Sequence, residues 1–211
     1  MLVSLKKTFS LYVRENIVLF VVIAILFFAG LITGILLVTS IPQDDLVSLS
    51  EYLDIFFDLF RDEQYLENSH HVFRFSITHN LAVVGILWLL GITMIGVPIV
   101  FIMVFLRGMA LGFTIKFMFD YITMKGFIMT FVGILPQNII FLPCFFISSV
   151  ASISFSSLLI RNQFGRKPAS LLPDFIHYTL LFAITGVGVI LVSLIEAYVS
   201  PTFLKLILNY I

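Results

Sequence analysis

The stretch from Ile17 to Thr39, IVLFVVIAILFFAGLITGILLVT, holds no charged residue in 23 positions. As an α-helix rising about 1.5 Å per residue it reaches roughly 35 Å, enough to cross about 30 Å of hydrocarbon. Lys6, Lys7 and Arg14 precede it in the manner of a signal peptide. The apolar run is longer than the usual h-region of about 7–15 residues, no Ala-x-Ala site follows, and further apolar runs do. It therefore reads as a retained first span. Its Gly30-x-x-x-Gly34 spacing lets two helix backbones approach closely in lipid, although glycine pairs also occur there without that role.

The rest of the chain fits this start. Of 211 residues, 60% are hydrophobic, 11% are charged and 24 are phenylalanine, and the mean hydropathy is +1.13. A soluble domain is about 25% charged. A soluble enzyme, a disordered tail and a nucleic-acid binder are all excluded, and an all-α polytopic membrane protein of about five spans is expected. A single cysteine, Cys144, provides neither a disulfide framework nor a thiol metal site.

Four more spans are expected. The second runs from about His79 to Leu106, with Gly91, Gly96 and Pro98 marking a bend before Arg107. The third, about 108–122, is short and carries Gly108-x-x-x-Gly112, Lys116 and Asp120. The fourth, 127–160, is too long for one ordinary crossing, and Pro136, Gln137, Asn138 and Pro143 interrupt it. It reads as a helix broken into 127–135 and 139–160, either a bent span or a re-entrant hairpin. Ser148, Ser152 and Ser156 form a small-residue packing stripe on its second half. The fifth is 175–200, closed by Pro201.

Residues 42–74 are the one sizeable polar segment. They hold eight acids (Asp44, Asp45, Glu51, Asp54, Asp58, Asp62, Glu63 and Glu67) against Arg61 and Arg74. Leu46, Leu49, Leu53, Phe56 or Phe57, and Phe60 recur at helical spacing, with Glu51, Asp54, Asp58 and Asp62 on another face, the pattern of an amphipathic helix. Surface helices that lie on membranes usually carry basic polar faces. An acidic one suits a basic protein partner or a solvated loop packed on its own bundle. With the N-terminus cytoplasmic, seven Lys and Arg fall inside (Lys6, Lys7, Arg14, Arg107, Arg161, Arg166 and Lys167) and four outside (Arg61, Arg74, Lys125 and Lys205). The positive-inside rule then sets the C-terminus and the acidic segment outside.

Polar groups within the spans are costly and default to function. Lys116 and Asp120 are spaced to pair along one helix, and Glu196 lies one turn from the outer end of its span. Gln137 and Asn138 could line a ligand site at a helix break or simply cap the broken helix. Glu67 and His71 form a permissible two-ligand metal pair, but no third ligand is apparent, so no metal or other cofactor is expected. There is no phosphate loop, Gly-x-Ser-x-Gly, His-Glu-x-x-His or CxxC motif. A 33-residue outer segment cannot fold a catalytic cleft by itself.

Several strings, in order, carry a family resemblance: His79-Asn80, Trp88-Leu89-Leu90-Gly91, Gly96-Val97-Pro98, Gly108-x3-Gly112-Phe113, Leu135-Pro136-Gln137-Asn138 with Pro143, and Ile195-Glu196-Ala197-Tyr198-Val199-Ser200-Pro201. Over nearly its whole length the chain resembles the stage II sporulation protein M family of polytopic membrane proteins. Wider-family members carry a Pro-His-Gly break followed by a glutamate. Here Pro136-Gln137-Asn138 and Phe141 stand in those places, which points to the sporulation branch and away from a transporter needing a charge at the break.

The resemblance implies a non-enzymatic scaffold of the engulfment machinery at the sporulation septum. Its implied partners are stage II sporulation proteins P and D, membrane-anchored cell-wall hydrolases that thin the septal wall while the membrane migrates around the forespore. Glu51, Asp54, Asp58 and Asp62 are then the expected contacts for exterior domains. The Gly30/Gly34 and Gly108/Gly112 faces are those for partner membrane anchors, and a homo-oligomer is a separate expectation with no surface assigned. The alternative is a small-solute or ion transporter, or a lipid-handling protein, built around Pro136–Pro143 with Lys116, Gln137, Asn138 and Glu196. A purely structural assembly subunit is a third reading.

Overall fold

A computed structural model describes residues 12–42, 46, 69–121, 135–164 and 171–199. The described residues form helices and turns with no strand. There are five long helices: α1 Ile17–Ser40, α2 Ser69–Ile92, α3 Gly96–Tyr121, α4 Leu135–Phe164 and α5 Leu172–Leu194. A five-residue π-helical turn, Ile195–Val199, continues α5. All five are long and apolar enough to cross a membrane. The expected acidic helix, including Glu51, Asp54, Asp58 and Asp62, lies outside the described residues.

The boundary between the second and third spans differs from the expectation. The chain turns at Thr93-Met94-Ile95, not at Arg107. Amide hydrogen bonds from Thr93 to the Leu90 carbonyl (3.0 Å) and from Gly96 to that of Thr93 (3.3 Å) close the turn. A Cβ at position 96 would collide with the Leu90 carbonyl oxygen, so only glycine allows the chain to reverse this tightly. Pro98 sits in the first turn of α3, where a missing N–H breaks no helical bond. It starts a helix and does not bend one. Arg107 and Gly108 therefore lie in the middle of a 26-residue span.

Residues 127–134 of the expected fourth span lie outside the described residues, and from Leu135 onward the helix differs from the expected break. α4 is continuous from Leu135 through Pro143 to Phe164. Pro136 occupies the first turn, where it is harmless, and Pro143 removes one hydrogen bond without ending the helix. α4 is the central element. Of its most apolar stretch, 56% is buried, against 28–33% in the other four spans.

Contacts fix the relative directions. Ser76 and Asn80, early in α2, meet Glu196 and Ser193 at the end of α5. Trp88, late in α2, meets Thr179, early in α5. These two helices are antiparallel. Ser152 and Ser156 of α4 reach Leu87 and Thr93 in the same order, so α4 runs parallel to α2. The core is apolar, with Ile23, Leu87, Val100, Val104, Phe141, Phe145, Val150, Val189 and Val192 almost fully enclosed. The exposed side chains are apolar too. Val18, Val21, Ile25, Phe28, Ile32 and Leu36 on α1, and Ile176, Leu180, Ile184, Val187 and Leu191 on α5, form stripes at helical spacing. An apolar exterior around an apolar core is the pattern of a bundle dissolved in lipid.

Candidate functional site

The glycines come first because they set the scaffold for everything else. A Cβ at Gly30 would strike the Phe105 carbonyl oxygen, and one at Gly34 that of Met109. Reciprocally, a Cβ at Gly108 would strike the carbonyl oxygen of Phe27, and one at Gly112 that of Leu31. The two Gly-x-x-x-Gly motifs face each other, and α1 and α3 run parallel in backbone contact. The faces expected to receive partner anchors are thus filled within the chain. The physical reason is mutual fit: each motif presents the flat surface that the other needs.

Around α4 runs a column of buried hydroxyls. Ser152 donates to the Leu87 carbonyl at 2.7 Å, and Ser156 to that of Thr93 at 2.7 Å. Ser148 bonds Thr185 of α5 at 3.1 Å. Tyr178 donates to the Trp88 carbonyl at 2.7 Å and stacks on Phe155 at 4.5 Å. The serine stripe read as packing also supplies hydrogen bonds between spans. Ser156 adds a second donor to the Thr93 carbonyl, which also accepts from the Gly96 amide in the turn after α2.

Glu196 sits in the π-helical turn, a distortion often found at functional sites. Its Oε2 accepts from Ser76 at 2.6 Å and from Asn80 at 3.2 Å. Asn80 also donates to Ser76 at 3.1 Å and to Ser193 at 3.4 Å. A half-buried carboxylate is thereby held by two neutral groups of α2, with Ser193 of α5 accepting from one of them. Ser76, Asn80 and Ser193 are 5% exposed or less. Sequence reasoning missed Ser76 and Asn80 as partners of Glu196, and Ser193 as a further acceptor for Asn80. The available signal was polar residues placed on otherwise apolar faces of two spans.

Lys116 and Asp120 pair at 2.8 Å along α3, each about a third exposed. The structure does not bring them to Glu196. Gln137 and Asn138 lie in the first turn of α4, with Asn138 6% exposed. The main addition is Arg107, which was counted as a cytoplasmic loop charge but stands mid-span. Its guanidinium lies over the Phe141 ring, 4.4 Å from the centroid. It also feels the Glu196 carboxylate electrostatically.

The buried serines direct their protons to carbonyl oxygens, to Thr185 or to Glu196. They are therefore not arranged as activated nucleophiles. Among the described residues no three His, Cys, Asp or Glu side chains converge on a metal position. The side chains of Glu67, His70 and His71 lie outside the described ones.

A family model, Stage II sporulation protein M, matches residues 23–201. The chain belongs to the stage II sporulation protein M family. The match takes in most of α1, the other four spans and the π-helical turn with Glu196. This family member is a sporulation-related, multi-pass membrane protein. No curated protein and no solved structure matches the chain.

Proposed function

We propose that the protein is a non-enzymatic scaffold of the engulfment machinery that recruits stage II sporulation proteins P and D to the septum. Family membership over residues 23–201 carries this reading. Two physical observations support it. The buried polar groups around α4 serve as ties between helices, which suits a rigid platform. The chain's polar mass outside the spans is concentrated in the acidic segment 42–74, which is too small for a cleft but suited to steering a basic partner surface. Since α1 and α3 occupy each other's glycine faces, partner contact is assigned to Glu51, Asp54, Asp58 and Asp62. Septal placement and an outward-facing acidic segment belong to the same proposal.

The test is an affinity pull-down of the tagged protein from crosslinked sporulating membranes, with a tagged unrelated five-span protein as control. Selective recovery of the amidase/endopeptidase or the transglycosylase is expected. Reversing Glu51, Asp54 and Asp58 to lysine should cut that recovery severalfold while membrane insertion is unchanged. Recovery of neither hydrolase with intact bait would refute the reading, and unchanged capture by the triple variant would remove the acidic helix from it.

A further inference from the structure

Between α1 and α4 lies a cavity of about 400 Å³. The facing glycines hold α1 against α3, and α1 meets α4 where the rings of Phe27 and Phe146 pack edge to face, 5.3 Å between centroids. Phe20, Phe27 and Phe28 form one wall of the cavity and Leu142, Pro143 and Phe146 the other. Every side chain lining it is a hydrocarbon, so they offer no partner to a dissolved ion. Phe28 belongs to the exposed apolar stripe of α1, so the space is a groove that opens sideways to lipid. Its width selects the occupant. Phe20 and Phe28 are eight residues apart, about 12 Å along the helix. About 400 Å³ over that length leaves a cross-section of about 33 Å², roughly 6 Å wide. A membrane helix, about 10–12 Å across with its side chains, is too thick for it. An extended hydrocarbon chain fits.

Charge marks one end of the groove. Amide hydrogen bonds from Phe20 to the Asn16 carbonyl and from Asn16 to that of Tyr12, each 3.1 Å, carry the helical path of α1 back past Arg14. Arg14 stands six residues before Phe20 and fourteen before Phe28. The groove therefore lies about 9–21 Å deeper than Arg14, the level of the acyl chains in one leaflet. α4 runs opposite to α1, because it is parallel to α2 and the turn at Thr93-Met94-Ile95 reverses α2 into α3, which is parallel to α1. Arg161, in the last turn of α4, is fifteen residues past Phe146, and Arg14 is thirteen before Phe27. Both arginines thus stand about 20–23 Å from the Phe27–Phe146 contact, at the same end of the bundle. Both are exposed. In the sequence Lys6, Lys7, Arg166 and Lys167 add to them, and only Glu15 and Asp174 oppose them there.

We propose that the groove between α1 and α4 holds an acyl chain of an anionic phospholipid, drawn from the leaflet on the N-terminal side, with its headgroup at the level of Arg14 and Arg161. The hydrocarbon walls take the tail, and the basic end selects the charge of the head. Basic residues beside a span end attract anionic lipid in this way, and an arginine stem lies along apolar surface while its guanidinium stays at the interface. The site stands independently of the scaffold reading.

The experiment uses the full-length chain in phosphatidylcholine nanodiscs, with Trp88→Phe to remove its one tryptophan. Phe28→Trp is the reporter in the groove. Ile184→Trp, exposed on α5 at a similar depth, is the reporter outside it. The probes are phosphatidylglycerol and phosphatidylcholine carrying the same brominated tails, each added as a minor component, because bromine quenches an indole that it touches. The anionic probe should quench the groove reporter at a fraction lower by on the order of tenfold, since each basic residue near a membrane surface contributes roughly fivefold. Unbrominated phosphatidylglycerol should compete, and the α5 reporter should not distinguish the probes. Arg14→Gln with Arg161→Gln should abolish the preference, and lysine at both positions should keep it. Ile147→Phe, which fills the groove, should also abolish it. Equal quenching of the groove reporter by the two probes overturns the site. The same preference at Ile184→Trp overturns it too, because the basic end then attracts lipid without a groove. Quenching of the α5 reporter alone overturns it in favour of a protein cover, a second copy or a partner's anchor. None of these readouts depends on capture of a hydrolase.

Discussion

Tyr178 combines two contributions that substitution separates. Its hydroxyl donates to the Trp88 carbonyl at 2.7 Å, and its ring stacks on Phe155 at 4.5 Å beside Gly91. Tyr178→Phe removes only the hydrogen bond. A hydrogen bond between membrane helices averages about 0.6 kcal/mol, so the loss should stay under about 1.5 kcal/mol. Tyr178→Ala also removes the ring and should cost about 3–5 kcal/mol. Thermal unfolding of both variants in one detergent checks the order, and equal losses would mean that packing contributes nothing there. Glu196 offers a second contrast. Glu196→Leu strands the proton of the nearly fully buried Ser76 hydroxyl and takes one of its acceptors from the Asn80 amide, at a cost of about 1–3 kcal/mol. Glu196→Gln keeps an acceptor oxygen and should cost less in the same assay. As an ionisable group in a span, Glu196 stood out in the sequence. Its partners did not, because Ser76 and Asn80 lie 120 and 116 positions away and nothing local links them.

Helix pairing gives a sharper test, because glycines with opposite surroundings occur in the same bundle. Gly34→Ala or Gly112→Ala places a methyl group into backbone carbonyl oxygens of the facing helix, which no rotamer change relieves. α1 and α3 must then separate, and a loss of about 1–3 kcal/mol or more is expected. A Cβ at Gly85 or Gly186 would meet nothing within 4 Å. Alanine there should be neutral or stabilise by up to about 1 kcal/mol through helix propensity. Melting the four single variants side by side decides it, and a uniform response would contradict the facing-glycine interface. The two motifs were legible in the sequence as close-packing surfaces, but spacing cannot say which surface each one meets. The span boundaries were less legible. Arg107 was read as a water boundary, although a charge inside a bundle looks the same in sequence as one in a loop. Gly91, Gly96 and Pro98 were read as a bend because a tight reversal and a kink draw on the same residues. Pro136 and Pro143 were read as a break, yet a proline in the first turn costs nothing and a single interior one did not stop α4.

Across the whole molecule, five alternating spans place the two ends of the bundle on opposite sides of the membrane, and charge selects which is which. With Arg107 inside α3, the basic residues on the side of the N-terminus become six: Lys6, Lys7, Arg14, Arg161, Arg166 and Lys167. The other side keeps Arg61, Arg74, Lys125 and Lys205. The excess shrinks but keeps its sign, so the positive-inside rule still predicts a cytoplasmic N-terminus. This orientation is also a condition for the scaffold, because wall hydrolases work outside and the acidic segment between α1 and α2 must face them. Single cysteines in the Cys144→Ala protein can read it. Asp44→Cys should react with a membrane-impermeant maleimide on intact protoplasts, whereas Lys167→Cys should react only after permeabilisation. The reverse pattern would put the acids in the cytoplasm and remove the proposed contact with the hydrolases. Labelling of both residues on intact protoplasts would contradict an odd number of crossings between Asp44 and Lys167. Since α4 and α5 are joined through residues 165–171 on the Lys167 side, the same pair of cysteines tests the charge rule and the threading of the bundle together.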